Sequence, residues 1–261
     1  WGAKTEDGEY TLVSTSAAGV VFGWIWDGAG YAERVFRIAE DRNDTATLDV
    51  SPDGKMFVTG GSDRHVRVYN FSEKALSTAM LKGVDENGHT RAAHNNRIFS
   101  TRFVSATAVI SGGWESPVQV WDLRTGRSER QISGSQIGAD SLEPIVGTTR
   151  FITASNRSTK QLQVFDYVTC REIEEESARL SSACGKIQLS GVRYCPATKS
   201  VWAICMKPHT VMQIDYTTGA VLGVVECKVP VMGIDVSPHH PGKCFIACMN
   251  ETIFVAERKK Q

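Results

Sequence analysis

The sequence predicts an all-β protein built by repeating one small antiparallel sheet, and three observations carry that expectation. Short runs alternate apolar and polar residues between turn residues, the pattern of strands with two different faces. Each run of strands closes on a bulky residue followed by a polar one: Trp26-Asp27, Tyr69-Asn70, Trp121-Asp122, Phe165-Asp166, Ile214-Asp215 and, degenerately, Ala256-Glu257. Those pairs recur at separations of 43, 52, 44, 49 and 42 residues. The clearest copy runs from Leu48 to Asn70: LDV, the turn SPDGK, MFVTGG, SDRH and VRVYN. It reads as strand, Pro-Asp-Gly turn, strand, polar turn and strand, a three-stranded meander. A second copy, His94 to Asp122, contains RIFSTRFV, AVISGG, WESP and VQVWD.

A more polar fourth strand is expected after each third one, at Glu33–Ile38, Lys74–Met80, Glu129–Ile132, Arg171–Glu174 and Val221–Val225. The turns into those strands include Asp27-Gly28, Arg124-Thr125-Gly126 and Thr217-Thr218-Gly219, where Gly permits positive φ. A sheet of this kind must bury both faces against its neighbours. Copies repeating at roughly 40 to 45 residues stack radially as the blades of a propeller, which leaves few open edges.

At the level of these residues the chain resembles the WD40 repeat family over essentially its whole length. The second and third copies carry the resemblance most fully. The third copy has His94, Ile98, Phe103, Ser111, Glu115 where the family usually has Asp, and Trp121-Asp122. The resemblance implies a hydrogen-bonded structural tetrad of His94, Ser111, Glu115 and Trp121, with the extra methylene of Glu115 altering its geometry. The second copy keeps Thr59, Asp63 and Tyr69 but has no His ahead of its first strand. The expected organisation is a single propeller domain, 1–261, with six blades at 1–44, 45–92, 93–135, 136–182, 183–228 and 229–261. The first copy begins inside a strand and the last stops soon after its third, so the chain is expected to be incomplete at its N-terminus. A closing strand would give six blades, and that strand plus a blade would give seven.

Composition narrows the function. Lys and Arg number 29 against 29 Asp and Glu, which argues against a nucleic-acid partner, since such partners select a basic excess. The longest strongly apolar stretch, Val20–Trp26, is far short of the roughly 20 residues of a membrane helix, so no membrane role is expected. The seven cysteines, Cys170, Cys184, Cys195, Cys205, Cys227, Cys244 and Cys248, are odd in number and irregularly spaced. They read as reduced thiols of an intracellular protein, cytoplasmic or nuclear. The N-x-[ST] matches at Asn43, Asn70, Asn156 and Asn250 point the other way but are short enough to arise by chance.

No motif supports an enzyme or a cofactor. Gly28-Ala29-Gly30 follows a strand, yet position 33 is Glu and a strand follows, so the dinucleotide fingerprint fails. No metal is expected at His239, His240, Cys244 and Cys248, because Cys244, Ile246 and Cys248 alternate on one strand face, placing the two thiols about 13 Å apart. The acidic run Glu172, Glu174, Glu175 and Glu176 reads as a solvated face, and Trp24 and Trp26 as packing between blades.

Trp114 stands apart, in the turn between the second and third strands of its copy. In the resembled family such turns open on the narrow top face, so Trp114 is either an interface anchor or a lid over its own hairpin. The matching turns supply Arg64 and His65, Arg157 and Lys160, and Lys207 and His209. Together they suggest a cationic rim around an aromatic spot, suited to an acidic or phosphorylated peptide. The leading expectation is a non-catalytic scaffold or adaptor binding a protein or peptide there. The alternative is a structural subunit held in a large complex through blade sides and edges.

Overall fold

A computed structural model describes residues 2, 4–5, 7–71, 79–81, 83–84, 90–91, 94–114, 117–237, 240 and 242–257. The chain forms two compact units, Trp1–Ser133 and Gly134–Gln261. In the first unit, β1 (Tyr10–Thr15), β2 (Val20–Trp26) and β3 (Ala32–Ala39) make one sheet. β4 (Thr45–Val50), β5 (Met56–Gly61), β6 (Val66–Asn70) and β7 (Ala79–Leu81) make the second. A small hairpin of β8 (Gly83–Val84) and β9 (Thr90–Arg91) precedes the third sheet, β10 (Ile98–Ser105), β11 (Ala108–Gly113), β12 (Val118–Asp122) and β13 (Arg127–Ile132).

The second unit repeats the plan. Its first sheet is β14 (Leu142–Pro144), β15 (Arg150–Ala154), β16 (Leu162–Asp166) and β17 (Arg171–Glu172), followed by helix α1 (Glu174–Ser182). Then come β18 (Leu189–Cys195), β19 (Ser200–Cys205), β20 (Thr210–Asp215) and β21 (Val221–Glu226), and finally β22 (Val231–Val236), β23 (Lys243–Cys248) and β24 (Ile253–Glu257). The strands of each sheet neighbour one another in chain order. MFVTGG, AVISGG and VQVWD are strands with the bounds their alternation gives.

Burial explains why the second and third strands are so apolar. β5 and β11 are buried at every position after the first, and β12 and β19 throughout, so both of their faces are covered. Within the first unit the second and third sheets approach so closely that a Cβ at Gly60 would meet Ile98 Cγ2 at 2.9 Å. Only Gly permits that approach. First strands are tied across sheets by side chains: Thr47 and Thr101 hydroxyls lie 3.1 Å apart, and the Phe103 N–H donates to Asp49 at 2.8 Å. In the second unit Glu143 accepts the Tyr194 N–H at 3.1 Å in the same manner.

In four of the six closing pairs the polar member also has a defined task. Asp122 accepts the Arg124 N–H at 2.8 Å, Asp166 the Thr169 N–H at 2.7 Å and Asp215 the Thr218 N–H at 2.7 Å. Asp27 does the same for Ala29, Gly30 and Tyr31. Each carboxylate therefore folds the turn into the fourth strand. The Arg124 guanidinium, followed by the Arg124 backbone N–H, holds the Asp122 carboxyl down at about 2.

One expectation needs correction. The fourth strand of the fourth copy ends at Glu172 and not at Glu174, and the acidic run continues into α1, with Glu174 and Glu175 exposed. Glu174, Glu175 and Glu176 occupy its first turn, where negative charge suits the helix dipole. Ser177 and Ser181, one turn apart, then serve the open edge of β16. Ser177 Oγ accepts the Val164 N–H at 2.9 Å, and Ser181 Oγ accepts the Leu162 N–H at 3.1 Å. Hydroxyls on a helix thus replace the ladder that a longer fourth strand would supply, with Leu180 buried between them. Glu172 pairs with Lys160 at 3.1 Å, and Glu176 bonds to Arg150 and Tyr216. Trp24 and Trp26 make contacts within their own sheet. Trp24 Nε1 donates to Ser14 Oγ at 2.9 Å, and Trp26 packs on Tyr10 with ring centroids 5.5 Å apart.

Candidate functional site

Two buried polar networks anchor the first unit. In the third sheet the Trp121 indole N–H donates to Ser111 Oγ at 2.8 Å, and that oxygen lies 2.7 Å from His94 Nε2. The loop before β10 positions His94, β11 positions Ser111 and β12 positions Trp121. Burial pushes the His94 imidazole down to about 4, so the ring is neutral near pH 7. The expected fourth member, Glu115, lies outside the described residues.

The second sheet builds its own version around Glu40, a residue that the sequence pattern did not single out. Its carboxylate accepts from Asn43 Nδ2 at 2.6 Å, Thr45 Oγ1 at 2.8 Å and Tyr69 OH at 2.7 Å, and also from the Thr59 hydroxyl. Glu40 therefore stands where the third sheet has His94. The available signal was its position just ahead of β4, beside Asn43 and Thr45. Asp63 completes the turn, receiving the Arg67 guanidinium and the His65 N–H. Burial, and then the Glu40 charge, raise the Tyr69 phenol far above its ordinary range. These groups are locked donors and acceptors rather than acid–base machinery, and Asn43, at 3 % exposure, is closed to glycosylation.

The candidate contact residues occupy corresponding turns in both units. In the first, Trp114 follows β11 and is 50 % exposed, with its ring 5.1 Å from that of Phe99. Arg97 lies over Phe99, 6.0 Å from its centroid, and pairs with Asp44 at 2.5 Å. Arg64 is exposed at φ 69, and its carbonyl accepts the His94 N–H at 3.1 Å. His65 is half-buried, 3.4 Å from Asp63.

In the second unit the cations are more engaged. Lys160 is paired with Glu172, and Arg157 donates to the Gly134 carbonyl at 3.2 Å and to Gln163. Lys207 is exposed, whereas His209 is half-buried and its carbonyl accepts the Cys227 N–H at 2.8 Å. A second exposed surface, which is apolar, lies on the outer strands of this unit. Val221 and Val224 on β21 and Ile253, Phe254 and Val255 on β24 are all exposed, Ile253 by 71 %.

Among the described residues no group of three or more His, Cys, Asp or Glu side chains is placed to hold a metal ion. His239 lies outside them. Cys244, Ile246 and Cys248 are buried together on one face of β23. No described helix is long and apolar enough to cross a membrane.

Repeated antiparallel sheets of three or four strands, an Asp capping the turn after Trp26, Trp121, Phe165 and Ile214, and a His–Ser–Trp chain match the blades of WD40-type β-propellers, the WD-repeat class. Comparison with known proteins agrees. The chain is 26 % identical over 134 residues to the ribosome biogenesis protein WDR12 homolog of Drosophila virilis, an alignment covering 49 % of this chain and 32 % of the relative. It is 26 % identical over 128 residues to the Drosophila erecta homolog, covering 47 % and 30 %. It is 23 % identical over 167 residues to that of Drosophila mojavensis, covering 62 % and 39 %. The chain thus spans about a third of the length of the curated relatives it matches. No family model matches it.

Proposed function

We propose that this chain is a non-catalytic WD40 scaffold that works as a subunit of a large protein assembly, of the ribosome-biogenesis kind named by its relatives, and so acts in the nucleus. The observation that carries this reading is the similarity to WDR12 homologs. The exposed apolar strands β21 and β24 suit it physically, because contiguous apolar area on an outer strand favours a permanent partner. The partners are proteins of that assembly, engaged through blade sides and edges. The test is sedimentation of the tagged chain from cell extract. Wild type is expected in a particle far larger than 28.6 kDa, whereas Val255→Glu on β24 shifts it to the light fractions. A chain that sediments alone under low salt contradicts the proposal.

A second reading is favoured by Trp114, whose half-exposed ring rests on Phe99, with Arg97 over that Phe99 ring. An aromatic pair with a flanking guanidinium fits an acidic or phosphorylated peptide. On this reading Trp114→Ala weakens binding of the co-purified partner by about 2 kcal/mol and leaves the fold intact. Titration of that partner against Trp114→Ala and Val255→Glu separates the two surfaces.

A further inference from the structure

We propose that Cys227 and Cys248 are a thiol-modification site, closing under oxidation into a disulfide that staples the sheet β18–β21 to the sheet β22–β24. The proposal stands on backbone geometry and does not depend on the assembly reading. Cys227 directly follows β21, and its N–H is held by the His209 carbonyl at 2.8 Å. Only Lys228, Val229 and Pro230 separate it from Val231, the residue paired with Cys248 across β22 and β23. The Met249 N–H donates to the Pro230 carbonyl at 2.9 Å, which pins the end of β23 against this connection. Cys248 belongs to a buried apolar cluster, and Cys227 packs against that same cluster.

The other cysteines of this unit sharpen the choice. Cys184 and Cys205 lie near one another, as do Cys195 and Cys244, but all four are buried. Burial pushes the Cys184 and Cys244 thiols up to about 12, and both pairs are shut away from reagents. Cys227 is half-buried and gives reagents an entry that the other two pairs lack.

The chemistry needs a low-molecular-weight disulfide as oxidant. The Cys227 thiolate attacks one sulfur of that disulfide, breaking its S–S bond and releasing one thiol, and leaves a mixed disulfide on Cys227. The Cys248 thiolate then attacks the Cys227 sulfur and expels the second thiol. Two protein thiols are oxidised, one disulfide is reduced to two thiols, and the protons of Cys227 and Cys248 end on those thiols. Burial and then the neighbouring Cys248 raise the Cys227 thiol, so closure quickens as the pH rises above neutrality. The result fixes the sheet that carries exposed β24.

The test incubates the full chain with glutathione disulfide at pH 8.5, quenches with iodoacetamide and digests with trypsin without reduction. The expected dominant product joins peptides 200–228 and 244–258. It disappears in Cys227→Ser and in Cys248→Ser and persists in Cys205→Ser and Cys244→Ser. The oxidised wild type should melt about 5 °C higher than the reduced form, reversibly with reductant, as a short-loop crosslink does. The proposal is overturned by a crosslink through Cys205 or Cys244, by one between two chains, or by thiols that stay unmodified or stop at the mixed disulfide.

Discussion

In the first compact unit, the position ahead of a first strand, a second-strand position and the bulky third-strand residue are Glu40, Thr59 and Tyr69 in one sheet, and His94, Ser111 and Trp121 in the next. The cross-strand pairs Phe57↔Tyr69, Val109↔Trp121, Phe151↔Phe165, Val201↔Ile214 and Cys244↔Ala256 locate the same positions throughout. In the second unit the second- and third-strand residues are Thr153 and Phe165, then Ala203 and Ile214, then Ile246 and Ala256. Thr59, Ser111, Thr153, Ala203 and Ile246 are all 0 % exposed. At the second-strand position burial is therefore constant while hydrogen bonding is dispensable. A repeat of this kind needs the volume filled, and it fills it with directional bonds in one unit and with non-directional packing in the other. Thr153 sits at the changeover: its buried hydroxyl has no hydrogen-bond partner among the described residues.

The largest expected effect lies in the directional unit. Trp121→Ala removes a fully buried indole and the donor to Ser111, and should cost about 4 kcal/mol in urea unfolding. A loss below about 1 kcal/mol would show that the residue is not core. Glu40→Ala strands three buried hydroxyls and an amide together, and should cost about 3 kcal/mol by the same measurement.

The pH dependence is next. The folded His94 titrates at about 4, against about 6.5 in the unfolded chain. Its folded value is depressed, so the unfolded state takes up the proton first, and stability falls as the pH drops from 6.5 towards 4. The loss approaches about 3 kcal/mol and then levels. His94→Gln should flatten this part of the stability profile, and an unchanged slope would remove His94 from the account. In the second unit, where polar bonds are few at these positions, the contrast is sharpened at α1. Ser177→Ala with Ser181→Ala leaves the Val164 and Leu162 amides unserved and should cost about 2 kcal/mol. Hydrogen exchange at those two amides should rise in step.

The second and third strands were legible in the sequence because both faces are buried and the turns are chemically marked, as Pro52-Asp53-Gly54 shows with Gly54 at φ 70. The fourth strands were less so. They face outward, so little constrains their residues, and Arg171–Glu174 was read as a strand that stops at Glu172. Helix α1 was hidden because its Glu-rich first turn reads as mere solvation. Its signal was the Ser177–Ser181 spacing around Leu180. At the candidate site, the chain His94–Ser111–Trp121 was implied by the family resemblance, but Glu40 was not, since a carboxylate in place of an imidazole matches by role and not by residue type. Trp114 was left between anchor and lid, and the half-exposed ring on Phe99 has features of both. The nearness of Cys227 to Cys248 required the register of β22 with β23, which no spacing in the chain reveals.

One pair of substitutions bears most directly on the claim that burial is shared and hydrogen bonding is not. Thr59→Val and Thr153→Val make the same near-isosteric change at equivalent, fully buried second-strand positions. Urea unfolding of both variants should show Thr59→Val losing about 2 kcal/mol, because its hydroxyl serves Glu40, and Thr153→Val unchanged or stabilised by up to about 1 kcal/mol, because its hydroxyl serves nothing described. Equal losses at the two positions would contradict the account.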